Sequence, residues 1–176
     1  LKPKNVWICC WICSQYRPSR ARAAAAGSAC ASGAAITTIS GQPGKINSLM
    51  FSRDGQRILI ASGLTGSYGR AAIYNTGDGK LNSEFVGHRD AIYAAVFSPD
   101  EAKIATAGYD RKIILWSIAS GKPIRELKGH NGAIFDLAFS PNGKVLVSAC
   151  ADETVKVWQV SSGERFDTLG QPEGEV

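Results

Sequence analysis

From about residue 41 the chain alternates short apolar runs with glycine- and proline-containing turns. "AIYAAVF" (residues 91–97) is apolar throughout, which predicts a strand buried on both faces. "AKIATAG" and "KIILWSI" are short and rich in β-branched residues, and "PIREL" alternates only weakly, as an outermost strand does. Four such strands with tight turns predict one small antiparallel sheet. A sheet of that kind cannot bury both of its faces alone.

The runs repeat. "FSRD", "FSPD" and "FSPN" begin at Phe51, Phe97 and Phe139, spaced 46 and 42 residues apart. Tyr74, Trp116 and Trp158 are spaced 42 and 42, and each precedes a turn: "TGDGK", "ASGK" and "SSGE". A period near 42 with four strands per unit predicts sheets stacked radially, each covering its neighbour.

Polar residues keep the same period. "GHRDAIYAAVFSPDEAKIATAGYDRKIILW" and "GHNGAIFDLAFSPNGKVLVSACADETVKVW" each run from a glycine-histidine pair to a tryptophan, with an aspartate in the turn between. Gly87-His88 and Gly129-His130, Thr106 and Ser148, Asp110 and Asp152, and Trp116 and Trp158 resemble the signature of WD-repeat (WD40) β-propellers. The family's naming dipeptide is degraded to Trp116-Ser117 and Trp158-Gln159. The resemblance runs from about Gly41 to Leu169. It implies an all-β fold of about three four-stranded antiparallel blades within residues 36–176, in units of about 41–86, 87–128 and 129–169. More loosely, the run resembles propellers attached to c-type cytochrome domains in some bacteria. That likeness implies an accessory propeller of a larger exported protein, with the haem or catalytic part outside this sequence.

The family resemblance also implies a structural hydrogen-bond network of His88, Thr106, Asp110 and Trp116, repeated as His130, Ser148, Asp152 and Trp158. The carboxylate accepts from one imidazole nitrogen, the other nitrogen faces the hydroxyl, and the hydroxyl bonds the indole N–H. Each buried polar group then has a partner. A histidine–aspartate pair that recurs once per blade, with no placed nucleophile, does not read as catalytic. The two histidines fall in different units, which argues against zinc. No catalytic, metal or cofactor-binding residue is assigned, and no cofactor is expected.

The first unit departs from this pattern. Gln42 stands where histidine is expected, Tyr74 replaces tryptophan, and no aspartate occupies the turn. "SGLTGSYGRAAIY" is longer than "TAGYDRKIILW", which predicts an extended glycine-rich loop and a blade without the network. "GLTGSYG" lacks the spacing of a phosphate loop.

Composition narrows the function. With 176 residues, 44% hydrophobic and 20% charged, the chain reads as an ordered globular protein. The net charge of +5 comes from Lys2, Lys4, Arg17, Arg20 and Arg22, and the remaining 15 basic residues balance all 15 acidic ones. The repeats therefore carry no net electrostatic footprint for nucleic acid, and none is expected as a partner. The apolar run in "NVWICCWICS" is too short for a helical membrane span, and the arginines after it do not fit a secretory signal. Residues 1–35, with the "CWIC" pair and the low-complexity "SRARAAAAGSACASGAA", read as a segment foreign to the repeats. Cys150 is alone within the repeats, so no internal disulfide framework is expected there.

These features point to a non-catalytic scaffold for protein partners. Tyrosine and arginine are enriched at binding hot spots. Arg89, Tyr109 and Arg111 lie in the histidine loop and aspartate turn of the second unit, and are the candidate partner-binding residues. Three blades are fewer than a closed ring needs, so the units read as part of a larger propeller. Open sheet faces at both ends are expected to invite self-association.

Overall fold

The structure is a computed structural model that describes residues 6–7 and 37–170. The expectations about residues 1–35, apart from the strand Val6–Trp7, lie outside the described residues, as does the sequence beyond Gly170.

A two-stranded sheet pairs β1 (Val6–Trp7) with β2 (Thr38–Ile39). Three four-stranded antiparallel sheets follow in sequence order, each a simple meander. The first is β3 (Lys45–Phe51), β4 (Arg57–Leu64), β5 (Tyr68–Asn75) and β6 (Leu81–His88). The second is β7 (Ile92–Phe97), β8 (Lys103–Gly108), β9 (Ile113–Ser117) and β10 (Pro123–Leu127). The third is β11 (Ile134–Phe139), β12 (Val145–Cys150), β13 (Val155–Gln159) and β14 (Arg165–Leu169). No helix among the described residues is long and apolar enough to cross a membrane.

The run expected to be buried on both faces forms β7, with Ile92, Ala95 and Phe97 in one core and Ala94 and Val96 in the other, and β8 and β9 divide in the same way. In the second sheet Ile104, Ile114 and Trp116 pack with Leu59, Ala61, Ile73 and Phe85 of the first. The Phe85 and Trp116 rings meet edge to face, centroids 5.8 Å apart. Because side chains alternate along a strand, the intervening residues Ala105, Ala107, Ile113 and Leu115 turn the other way. They pack with Ile134, Leu137, Leu146 and Trp158 of the third sheet. The second blade thus supplies half of two cores, and the period-2 alternation is hidden because both halves are apolar.

The two ends of the stack differ. On the first sheet Ile58, Ile60, Ala72 and Tyr74 form a buried cluster with Ile39 of β2, none more than 6% exposed. At the other end the sheet face is open. Phe85, Leu127 and Leu169 hold the same place, opposite Ala71, Ile113 and Val155. Phe85 and Leu127 are 1% and 2% exposed, whereas Leu169 is 58% exposed.

The first blade corrects an expectation. Its extra residues do not make a long glycine-rich loop. They lengthen β4 and β5 to 8 residues each, against 6 and 5 for β8 and β9. Pairing continues to Gly63–Gly69 and Leu64–Tyr68, leaving a three-residue turn at 65–67. Glycines permit this close packing, since a Cβ on Gly69 would run into the carbonyl oxygen of Asp90. The tip is tied down by the Gly66 N–H, which donates to Asp90 Oδ1 at 2.8 Å.

Candidate functional site

The loops before β7 and β11 and the turns after β8 and β12 meet on one face of the stack. In the second blade His88 Nδ1 lies 2.9 Å from both carboxylate oxygens of Asp110. Nε2 lies 2.8 Å from Thr106 Oγ1, which also accepts the Trp116 indole N–H at 2.8 Å. The directions are mutually consistent. Asp110 can only accept, so Nδ1 carries the proton, Nε2 takes the hydroxyl hydrogen, and the hydroxyl oxygen takes the indole. Asp110 also accepts from the backbone N–H of Arg89 at 3.2 Å and of Lys112 at 3.3 Å. The carboxylate therefore joins the loop before β7 to the turn after β8. Burial would raise its pKa, but the hydrogen bond from His88 and the backbone donors hold it below the usual range.

The third blade has the same arrangement. His130 Nδ1 is 2.9 Å from Asp152 Oδ2, Nε2 is 2.7 Å from Ser148 Oγ, and Trp158 Nε1 donates to Ser148 Oγ at 2.8 Å. The structure thus brings each set of four together, and it shows one member that spacing did not suggest. Lys156, buried in β13, donates from Nζ to Asp152 Oδ2 at 3.2 Å and to Thr154 Oγ1 at 2.9 Å, and lies 3.4 Å from His130 Nδ1. Burial lowers the pKa of His130, and Lys156 and Arg165 lower it further, against the pull of Asp152. Burial would raise the Asp152 pKa, but donors from Thr154, Asn131 and His130 hold the carboxyl far below its usual range. Burial raises the Cys150 thiol. Donor atoms of His130, Cys150 and Asp152 lie within 4.8 Å of one another. The Lys156 ammonium already supplies a cation to that carboxylate, so the trio does not fit a metal ion.

The first blade keeps a remnant where the sequence suggested loss. Ile60 takes the place of the hydroxyl residue, opposite Leu49 as Thr106 is opposite Ala95. Gln42 reaches past it, and its Nε2 donates to Tyr74 Oη at 2.7 Å. The tyrosine hydroxyl does the work of both the missing hydroxyl and the indole. Gln42 Oε1 is buried and has no hydrogen-bond partner among the described residues.

Arg89, Tyr109 and Arg111 are all exposed, and they line one open groove between the second and third blades. Arg111 sits at the turn with φ 65°, as Glu153 does in the next blade with φ 62°. Two further residues of this region were not singled out from the sequence. Tyr93 and Phe135 each occupy a β-bulge, in β7 between Ile92 and Ala94 and in β11 between Ile134 and Asp136. Their rings stack at 5.8 Å, and Tyr109 meets Tyr93 edge-on at 6.3 Å. The available signal was positional: each is the aromatic that follows the first isoleucine of its inner strand.

The WD domain, G-beta repeat family model matches residues 79–117 and 121–159. Two WD40 repeats of a partial β-propeller lie in this chain. The two matched segments include Trp116 and Trp158, and the first blade, with Gln42 and Tyr74, lies outside them apart from its last strand. Among curated proteins, the intraflagellar transport protein 122 homologs of Homo sapiens, Danio rerio and Mus musculus are 31%, 32% and 32% identical over 72 residues. Those segments make up 41% of this chain but only 5–6% of the relatives' length. A WD40 propeller is a non-catalytic scaffold for protein–protein interaction, and its loops vary while its sheets stay fixed.

Proposed function

We propose that the WD40 blades present a partner-binding surface at Arg89, Tyr109 and Arg111. The two sets His88, Thr106, Asp110, Trp116 and His130, Ser148, Asp152, Trp158 hold the loops that carry it. The observation behind this reading is the open groove between the second and third blades, lined by those three exposed residues. The backbone beneath them is fixed by the Asp110 bonds to Arg89 and Lys112. Rigid presentation lowers the ordering cost of binding. The Tyr109→Ala, Arg111→Ala double variant should recover less of the co-purifying partner while its unfolding midpoint stays unchanged. Equal recovery would remove these residues from the interface.

A second contact follows from the open end of the stack. Leu169 shares its face with Val155, Ala149, Val157 and Val147, which pair across the sheet. In the two earlier blades that face is covered by the next sheet. We infer that another sheet covers it here, and self-association supplies one. The Leu169→Lys variant should sediment as a smaller species than the parent chain. An unchanged sedimentation coefficient would rule out this face as a self-contact.

A further inference from the structure

We propose that the groove between the second and third blades takes an acidic peptide segment with one aromatic or aliphatic anchor side chain. The proposal rests on the partner-binding reading above and specifies the chemistry of that partner.

The groove offers about 660 Å³, which suits a few side chains of an extended segment rather than a folded domain. Its charges are not evenly satisfied. Lys112 pairs with Glu126 at 2.7 Å. Asp110 is held by His88 and two backbone N–H groups. Asp90 Oδ1 accepts from the N–H groups of Gly66 and Ala91. The guanidinium groups of Arg89 and Arg111 have no carboxylate partner among the described residues, and both line the groove. Two planar forks over a groove whose own carboxylates are engaged favour incoming carboxylates, which arginine binds bidentately.

The apolar part of the recognition comes from the bulges. A bulge adds a residue to one strand and re-aims its side chain out of the alternating pattern. Tyr93 and Phe135 are the bulge residues of neighbouring inner strands, and together with Tyr109 they form a continuous aromatic surface. Phe135 is 56% exposed and Tyr109 49% exposed, and both line the groove. Exposed aromatic rings beside unpaired guanidinium groups match an apolar anchor flanked by Asp or Glu. The neutral charge balance of the blades gives no matching support for a polyanion that must be followed over many phosphates.

The test is selection of random heptapeptides on the immobilised full chain, followed by fluorescence anisotropy of the best binders. The selected sequences should place Asp or Glu beside Trp, Phe or Leu. Arg111→Gly should weaken binding at least tenfold. This variant removes the guanidinium while suiting the positive φ, so the turn keeps its shape. Phe135→Ala should weaken binding similarly, and Arg89→Glu with Arg111→Glu should favour basic peptides. Enrichment of basic or uncharged peptides that still depend on Tyr109 and Arg111 would overturn the acidic-partner proposal and leave the binding face intact. Acidic peptides indifferent to every groove substitution would overturn both. A single-stranded oligonucleotide that competes as well as the peptide would overturn the peptide assignment, as would the absence of any enriched sequence.

Discussion

Ser148 and Lys156 stand opposite each other across β12 and β13, at the place where the preceding blade pairs Thr106 with Ile114. An apolar position in one blade is thus a buried ammonium in the next. Asp152 and Thr154 accept from it, so the charge is neutralised within the blade. Replacing both members of a buried ion pair by apolar residues is often neutral or stabilising, whereas removing one member leaves the other charge buried without its partner and is destabilising. Lys156→Ile should therefore lower stability by about 1–3 kcal/mol, less than a wholly stranded charge would cost, since Asp152 keeps His130, Asn131 and Thr154 as donors. The same variant should raise the pKa of His130, because a neighbouring positive charge is gone. Urea denaturation and an NMR titration of the imidazole would check the two outcomes.

Acid should act on the third blade in two stages. Burial and Lys156 lower the folded pKa of His130 from the ordinary 6.5, so the unfolded chain binds that proton more readily. Stability should then fall as pH drops through the region just below 6.5. The carboxyl of Asp152, like that of Asp110 in the second blade, is depressed from 3.8. Their contribution is full above that value and is lost as pH falls below it. Thermal unfolding at successive pH values should show both stages, and His130→Gln should remove the upper one.

The remnant in the first blade has its own test. Tyr74→Phe deletes the acceptor of Gln42 Nε2 and leaves a second buried atom of that amide without a partner. An orphaned buried polar group costs about 1–3 kcal/mol. The denaturation midpoint should fall accordingly, and Tyr74→Phe combined with Gln42→Leu should recover part of the loss.

Gly108 ends β8 beneath the loop that carries Arg89. A Cβ there would run into the carbonyl oxygen of Ala91, which accepts the Tyr109 N–H at 3.0 Å. Gly108→Ala should push this loop and the turn apart and destabilise the blade by roughly 1–3 kcal/mol. Faster amide exchange at Tyr109, measured by NMR, would locate the damage.

The sequence makes the strands legible because their turns recur at a fixed spacing, and it makes His88, Asp110 and Trp116 conspicuous as a set because the set recurs. It is less informative where one residue substitutes for another by reach. Gln42 and Tyr74 look like two losses when each is compared with its counterpart. Only the distance between them shows that the longer tyrosine spans the gap left by Ile60. The long stretch in the first blade looks like a loop because it is rich in glycine, yet the glycines serve close packing against residues 90 and 91. Lys156 does not stand out in "TVKVW", since nothing in its neighbours reveals which way that strand faces. Tyr93 and Phe135 are hidden for a related reason: a bulge shifts the register by one residue, and simple alternation assigns them to the wrong side.

That register shift recurs in the inner strand of every blade, between Ile46 and Ser48, Ile92 and Ala94, and Ile134 and Asp136. The residue at the bulge is Asn47, Tyr93 or Phe135. Each blade therefore has one inner-strand position excluded from the ladder: Tyr93 and Phe135 stack on each other there, and Asn47 Nδ2 donates to the Ile92 carbonyl of the next blade at 2.8 Å. The sheets act as a constant frame, and the bulge residues form a short written label, one letter per blade. On the proposed partner-binding reading, substitutions at these positions would change the partner while the fold stays the same.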